Sequence, residues 1–262
     1  MENAIGIFDS GVGGLTVLSQ LKTMLPHEKM IYIGDNKHSP YGDKTKEQLL
    51  EYTIKICDYF LSQKVKMIVL ACNTTSANVL SELQERYPQV PIVGVIHSTV
   101  HDFLARDKKS VLIIATKATI HSHQYKKFIQ EYNNHIQVYE LETPRIVPLI
   151  ESGVYRQGIQ EVLKDYLIPY QTKVDSLILG CTHYPIVADQ IKDVFGNEKT
   201  YVSSSDAICQ EVVSYLKVHQ LQTTHQQKGH IDIYTTGNVE EFYSSSQDFF
   251  DYTDLEVKHL DL

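Results

Sequence analysis

The sequence predicts an α/β fold of two pseudo-symmetric lobes. Each lobe is expected to be a mostly parallel sheet flanked by helices, with the active site in the cleft between them. Three observations lead there. Short apolar, β-branched runs recur along the chain. Stretches with helical apolar spacing separate them. The order of features also returns later in the chain, where Cys181 stands in a setting like that of Cys72.

The apolar runs are Ala4–Phe8, Met30–Ile33, Met67–Ala71, Ile92–Ile96, Val111–Ala115, Gln137–Glu140, Ser176–Gly180, Lys199–Val202 and Ile231–Tyr234. Their continuous apolar character suits strands buried on both faces of a parallel sheet. Leu15, Leu18, Leu21 and Leu25 space one helix. Leu49, Thr53, Ile56, Cys57, Phe60 and Leu61 space another along a single face. Residues 5–14 resemble 112–121, and 67–77 resemble 176–186, both members of the second pair being a strand that ends in small-Cys-polar-polar. This period is far longer than a solenoid repeat, so it reads as a duplicated lobe. The first lobe is expected over 1–97 plus 207–262, and the second over 98–206. The Gln-, Thr- and His-rich stretch 217–230 reads as a surface connection. The last stretch reads as a strand followed by an aromatic helix carrying Phe242, Phe249 and Phe250.

Composition narrows the function classes. The 262 residues are 42% hydrophobic and 21% charged, which suits a globular chain rather than a disordered one. A net charge of -8 and the lack of a Lys/Arg stripe argue against nucleic acid as a partner. The apolar runs are too short to cross a bilayer, so no membrane partner is expected. The opening MENAIGIFDSG lacks the basic and apolar regions of a signal peptide. Four scattered cysteines without such a signal read as reduced thiols in the cytoplasm.

In open α/β sheets, ligands bind beyond the carboxyl ends of the strands. The segments expected there are Asp9–Gly14, Cys72–Thr74, Thr116 and Cys181–His183. Cys57 and Cys209 sit in apolar helical stripes and need only a packing explanation. Cys72 and Cys181 sit at strand ends beside polar residues, where following helix N–H groups can lower a thiol pKa. Two such thiols facing one ligand suit acid–base work on both faces of a carbon. A redox disulfide, a single nucleophile and a zinc site are the rivals. Asp9 and His183 are natural proton partners for the two sulfurs, although an Asp there also suits a helix N-cap.

Gly11, Gly13 and Gly14 lack the third glycine of a dinucleotide fingerprint, because Thr16 stands in its place. Their helix N–H groups would still suit an anion. Ser10, Asn73, Thr74, Thr116 and Thr182 add neutral donors that can hold carboxylates. Pro40-Tyr41-Gly42 marks a tight turn able to close over a ligand.

DSGVGGLTV (9–17), SPYGDKT (39–45), ACNTTSA (71–77), GVI (94–96), VPLIESG (147–153), GCTHYP (180–185) and TTG (235–237) run through most of the chain. In these motifs the sequence resembles the glutamate racemase family, within the cofactor-independent Asp/Glu racemase superfamily. The resemblance implies two-base interconversion of L- and D-glutamate with no cofactor and no metal, supplying D-glutamate for peptidoglycan. It implies Cys72 and Cys181 as the acid/base pair, the first acting on D-glutamate and the second on L-glutamate, with Asp9 and His183 assisting. Asp9, Ser10, Pro40, Tyr41, Gly42, Asn73, Thr74, Thr116, Thr182 and His183 would line the substrate site. The expected partners are a small-molecule amino-acid substrate and a second copy in a homodimer.

The sequence departs from the family pattern at Ser98-Thr99, Ala115–Thr119 and Glu142-Thr143-Pro144. These departures imply a differently shaped pocket in the second lobe. Aspartate or another small α-substituted acid is the alternative substrate, and a non-enzymatic anion-binding protein is the alternative function.

Overall fold

The computed structural model describes residues 3–153 and 155–262. Met1 and Glu2, which begin the stretch read for a signal peptide, lie outside them. Ten strands and eleven α-helices follow one another in chain order among the described residues. The strands are β1 (Ile5–Asp9), β2 (Met30–Gly34), β3 (Met67–Leu70), β4 (Ile92–Gly94), β5 (Ser110–Ala115), β6 (Gln137–Glu142), β7 (Ser176–Gly180), β8 (Thr200–Ser203), β9 (Ile231–Thr235) and β10 (Val257–His259). The helices are α1 (Leu15–Met24), α2 (Lys46–Ser62), α3 (Asn73–Arg86), α4 (Val95–Leu104), α5 (Lys117–His121), α6 (Gln124–Tyr132), α7 (Ile146–Glu151), α8 (Tyr155–Leu167), α9 (Ala188–Phe195), α10 (Ser204–Val218) and α11 (Val239–Ser246).

The strands form two wholly parallel sheets. The larger has the order β10-β9-β2-β1-β3-β4, and the smaller β6-β5-β7-β8. The inner arrangement 2-1-3-4 therefore recurs as 6-5-7-8, which is the duplication read from the sequence. In both sheets the first strand of the set is flanked by its successors on opposite sides. Loops leaving its carboxyl end and that of the next-but-one strand part company there, opening a crevice. In the large sheet that crevice lies between β1 and β3, and in the small one between β5 and β7.

The apolar runs of the inner strands behave as expected, whereas β6 has no buried residue and β8 only Val202, both being edges of the small sheet, and β9 is buried only at alternate residues. β1, β2, β3 and β7 are buried along their whole length. Successive residues on them feed opposite faces. Ile7 and Val69 join the cluster that also holds Val111, Ile113 and Ile178 of the small sheet, while Phe8, Ile68 and Leu70 pack beneath α2 and α3. Each such side chain removed from water contributes about 1.5–3 kcal/mol. α4 carries the chain from the large sheet to the small one, and α10 carries it back. The two helices pack on each other through the shared cluster, in which Phe103 and Val212 are fully buried. Cys57 and Cys209 are buried core side chains.

Local chemistry sets the helix ends. Thr45 and Gln48 form a reciprocal capping box at the start of α2. Ser203 and Asn238 cap α10 and α11. Three further expectations need correction. The run Ile92–Ile96 is a strand only to Gly94, because Val95 already begins α4 with its N–H on the Ser76 hydroxyl. The aromatic helix stops at Ser246, so Phe249 and Phe250 lie beyond it, their N–H groups on the Ser246 carbonyl. β10 was not expected at all. It is a three-residue edge strand with only Val257 buried, which leaves no apolar run to read. No helix among the described residues is long and apolar enough to cross a membrane.

Candidate active site

The carboxyl ends of both sheets' inner strands open onto one cavity of about 90 Å³. Ser10 follows β1, Cys72, Asn73 and Thr74 follow β3, Thr116 follows β5, and Cys181, Thr182 and His183 follow β7, and all of them line it. Pro40, Tyr41 and Gly42 form part of its wall. Asp9 is fully buried immediately behind Ser10. The structure thus brings the expected residues after β1, β3, β5 and β7 to a single cavity, although of Asp9–Gly14 only Ser10 lines it.

The Asp9 environment differs from the expected helix cap. The capping position of α1 is Gly14, further along the chain than Asp9, and no side chain caps it. The Asp9 carboxylate instead accepts the Gly11 N–H at 3.2 Å and the Thr182 hydroxyl at 3.2 Å from across the cleft. The Gly14 N–H also favours its charged form. The glycine loop's N–H groups are therefore turned onto a carboxylate of the chain itself, where an external anion was expected. Burial still outweighs these donors and the nearby His183, and holds the Asp9 pKa above the ordinary carboxylate value. The glycines have a second reason. A Cβ on Gly13 would run into the His183 ring and the Thr182 hydroxyl, so its absence lets the two loops meet.

Cys72 is the N-cap of α3, one residue past the expected strand end. Burial, and after it the Asp9 carboxylate, pushes its thiol up to about 11, opposite to the lowering expected from helix N–H groups. The N–H and hydroxyl of Thr75 and the hydroxyl of Ser10 act against this rise without overcoming it. All four cysteines are free thiols.

The second sulfur has different company. His183 Nδ1 lies 3.7 Å from Cys181 Sγ, and its Nε2 lies 2.9 Å from Glu151 Oε1. Burial alone would strip the proton from this imidazole. The Cys181 and Glu151 contacts prevail and lift its pKa well above the ordinary histidine value. Glu151 is lowered in turn, because the His183 hydrogen bond and charge outweigh its own burial.

Neutral donors complete the wall. Thr74 and Thr116 hydroxyls meet at 2.8 Å across the two sheets, and Thr119 joins them. Asn73 is fixed by Tyr125, which donates to its Oδ1 at 2.6 Å, and donates from Nδ2 to Ser204 at 3.0 Å. The expected turn at 40–42 is a single 3-10 turn, Tyr41–Asp43, with the Tyr41 hydroxyl donating to buried Asp35 at 2.5 Å. Among the described residues, no group of three or more His, Cys, Asp or Glu is placed to hold a metal ion.

Several wall residues escaped the sequence reading. Glu151, Lys117, Thr143, Pro144, Val147 and Pro148 all line the cavity. Glu151 stood in plain view within VPLIESG, but a single carboxylate on a short helix carries no spacing signal. Asp35 lies outside the cavity lining and meets it through its hydrogen bond from Tyr41.

The Asp/Glu/Hydantoin racemase family model matches residues 16–212. A glutamate racemase from Bacillus cereus is 38% identical over 264 residues, spanning 99% of this chain and 97% of its own. The chain belongs to the glutamate racemases of that family. It is accordingly an amino-acid racemase. The crystal structure of a glutamate racemase isoform from Bacillus anthracis is 30% identical, with a TM-score of 0.92 over 99% of this chain and 98% of its own. That of the Francisella tularensis glutamate racemase, solved in complex with D-glutamate, is 32% identical, with a TM-score of 0.91 over the same shares.

Proposed function

We propose that this racemase interconverts L- and D-glutamate without a cofactor, using Cys72 and Cys181 as its two bases. The observation that carries this reading is the pair of free thiols at equivalent strand ends, opening onto one cavity. A base on one side removes the α-proton, and a thiol on the other delivers one, so the stereocentre inverts. The two sulfurs exchange protonation states in each turnover. Proton exchange with solvent, or the reverse reaction, resets them. Following the family, Cys72 acts on D-glutamate and Cys181 on L-glutamate.

The two sulfurs need different help, and their surroundings supply it. Asp9, protonated more readily than an ordinary carboxylate, is suited to trading a proton with Cys72. His183, held protonated by Glu151 and Cys181, is suited to supporting negative charge on the Cys181 sulfur. Ser10, Asn73, Thr74, Thr116 and Thr182 would hold the substrate carboxylates and ammonium, with Pro40, Tyr41 and Gly42 closing the other wall. Preorganised donors at developing charge are worth about 3–4 kcal/mol each, and orientation about 7–11 kcal/mol. Both would come from two lobes, 1–97 with 207–262 and 98–206, closing around the ligand. The product would supply peptidoglycan synthesis in the cytoplasm.

The test is incubation with L- or D-glutamate in deuterated water with no added cofactor. Solvent deuterium should enter the α-carbon while circular dichroism decays to zero. Cys72→Ala and Cys181→Ala should each abolish racemisation. Full racemisation in either variant would overturn the two-base reading, and a clear preference for L-aspartate would overturn the substrate.

A further inference from the structure

Thr75 is fully buried, yet its hydroxyl oxygen has no hydrogen-bond partner. Buried hydroxyls are almost always paired, and an orphan asks for an explanation. Its place in the fold supplies one. Cys72 is the N-cap of α3, and Thr75 is the third residue of that helix. This is the position whose backbone N–H an N-cap side chain ordinarily engages. Here the N-cap side chain ends in sulfur and makes no cap hydrogen bond, although the N–H and the hydroxyl of Thr75 both favour its ionised form. A neutral thiol is a weak acceptor, whereas a thiolate is a strong one.

We propose that Thr75 is a positioning residue whose hydroxyl is held in reserve to donate to the Cys72 thiolate, and so sets how strong a base Cys72 is. The proposal rests on the reading of Cys72 as a base, and it deepens that reading. Ser10 aids the same sulfur from the cavity wall, where substrate would compete for its hydroxyl. Thr75 does not line the cavity, so its donation is independent of substrate. The titratable groups that face Cys72 are Asp9 on β1, Tyr32 on β2 and Tyr41 in the 41–43 turn. Cys181 and His183 line the same cavity from the other sheet. Asp9 opposes a second negative charge nearby. Thr75 and Ser10 favour it, and of these two only Thr75 stays in place whatever occupies the cavity.

The experiment uses the full chain and the variants Thr75→Val and Thr75→Ser. Alkylation of Cys72 and Cys181 by iodoacetamide is followed peptide by peptide, by mass spectrometry, across the alkaline range. Thr75→Val should raise the pH midpoint for Cys72 by about one unit, a tenfold change in thiolate population at fixed pH. Thr75→Ser should restore it, and the Cys181 midpoint should stay put. A merely structural threonine would behave otherwise. Because the hydroxyl is unpaired in the thiol state, the isosteric valine should unfold at the same temperature or higher. Racemisation should slow equally in both directions, since enantiomers have equal free energies. The α-deuterium isotope effect should grow with D-glutamate and not with L-glutamate. An unmoved Cys72 midpoint in folded Thr75→Val overturns the proposal. A moved midpoint with undiminished racemisation leaves Thr75 its hold on the sulfur and overturns Cys72 as a base.

Discussion

His183 Nε2 stands 2.9 Å from Glu151 Oε1, while the other nitrogen of the same ring faces the Cys181 sulfur at 3.7 Å. The imidazole thus links a carboxylate on α7 to the thiol after β7. Glu151→Gln removes the charge that helps keep the ring protonated. A hydrogen bond to a charged group is worth about 1.5–3 kcal/mol, so activity should fall about 10- to 100-fold. The alkaline limb of the rate profile should also move to lower pH. The sign holds for stability as well. The His183 pKa is raised by folding, so its contribution is complete below the ordinary value of 6.5 and is lost as pH rises through the folded value. Rate profiles and urea unfolding across pH check both effects. An unshifted alkaline limb in the variant would separate Glu151 from the imidazole's protonation.

Gly13 sets how closely the loop after β1 approaches Thr182 and His183. Gly13→Ala would place a methyl group against the ring and the Thr182 hydroxyl. Overpacking of this kind costs about 1–3 kcal/mol. It also pushes Asp9 away from Thr182, so kcat should fall at least about tenfold, as misplacement alone lowers rate. Gly158→Ala is the control. It lies within α8, where an added Cβ meets only Leu149 at 4.0 Å. The control should gain about 0.5–1 kcal/mol from its better helix former. Thermal unfolding and steady-state kinetics of the pair give the comparison, and equal behaviour of the two would refute the argument.

The parts of the molecule legible in the sequence are those with a local signature. Apolar runs marked β1 to β9 to within a few residues, most clearly in the inner strands, because strands covered on both faces need continuous runs. Cys72 and Cys181 were separable from Cys57 and Cys209 because polar neighbours at a strand end differ from an apolar helical stripe. What escaped depends on long-range geometry. Glu151 becomes notable only when α7 folds over His183. Asp35 becomes notable only when Thr236 arrives from the far end of the chain. The direction of the Cys72 shift also escaped, since helix N–H groups are local but burial and Asp9 are supplied by the fold.

Asp35 anchors the turn that walls the cavity. Its Oδ2 accepts from the Tyr41 hydroxyl and its Oδ1 from the Thr236 hydroxyl, each at 2.5 Å, while His38 Nδ1 lies 2.9 Å away. Asp35→Asn gives one of those hydroxyls an amide donor to face, so the 41–43 turn should loosen. Because this turn walls the cavity but supplies neither proposed base, the loss should appear mainly in KM, by about tenfold at about 1.4 kcal/mol. Thr236→Val, which removes only one donor, should lose less. Initial rates over a range of glutamate concentrations separate the two parameters, and a loss confined to kcat would contradict this role.

Buried thiols make the protein sensitive to alkali for a reason separate from catalysis. Burial pushes Cys57 and Cys209 up to about 12, from an ordinary value of 9.0. In the unfolded chain these thiols ionise as pH passes 9.0, while the folded protein keeps their protons. The unfolded state therefore gains, and stability falls from that point until the folded values are reached. Below pH 9.0 the contribution is fully present and flat. Each thiol accounts for at most about 1.4 kcal/mol per pH unit within the window. Cys57→Ala leaves a small cavity beneath α2 and lowers stability near neutrality. It should nevertheless make the alkaline decline shallower by up to one proton's worth. Urea unfolding midpoints of the two proteins, measured at steps from neutral to strongly alkaline pH, should converge as pH rises. Parallel curves would mean that the Cys57 proton is not what the fold retains.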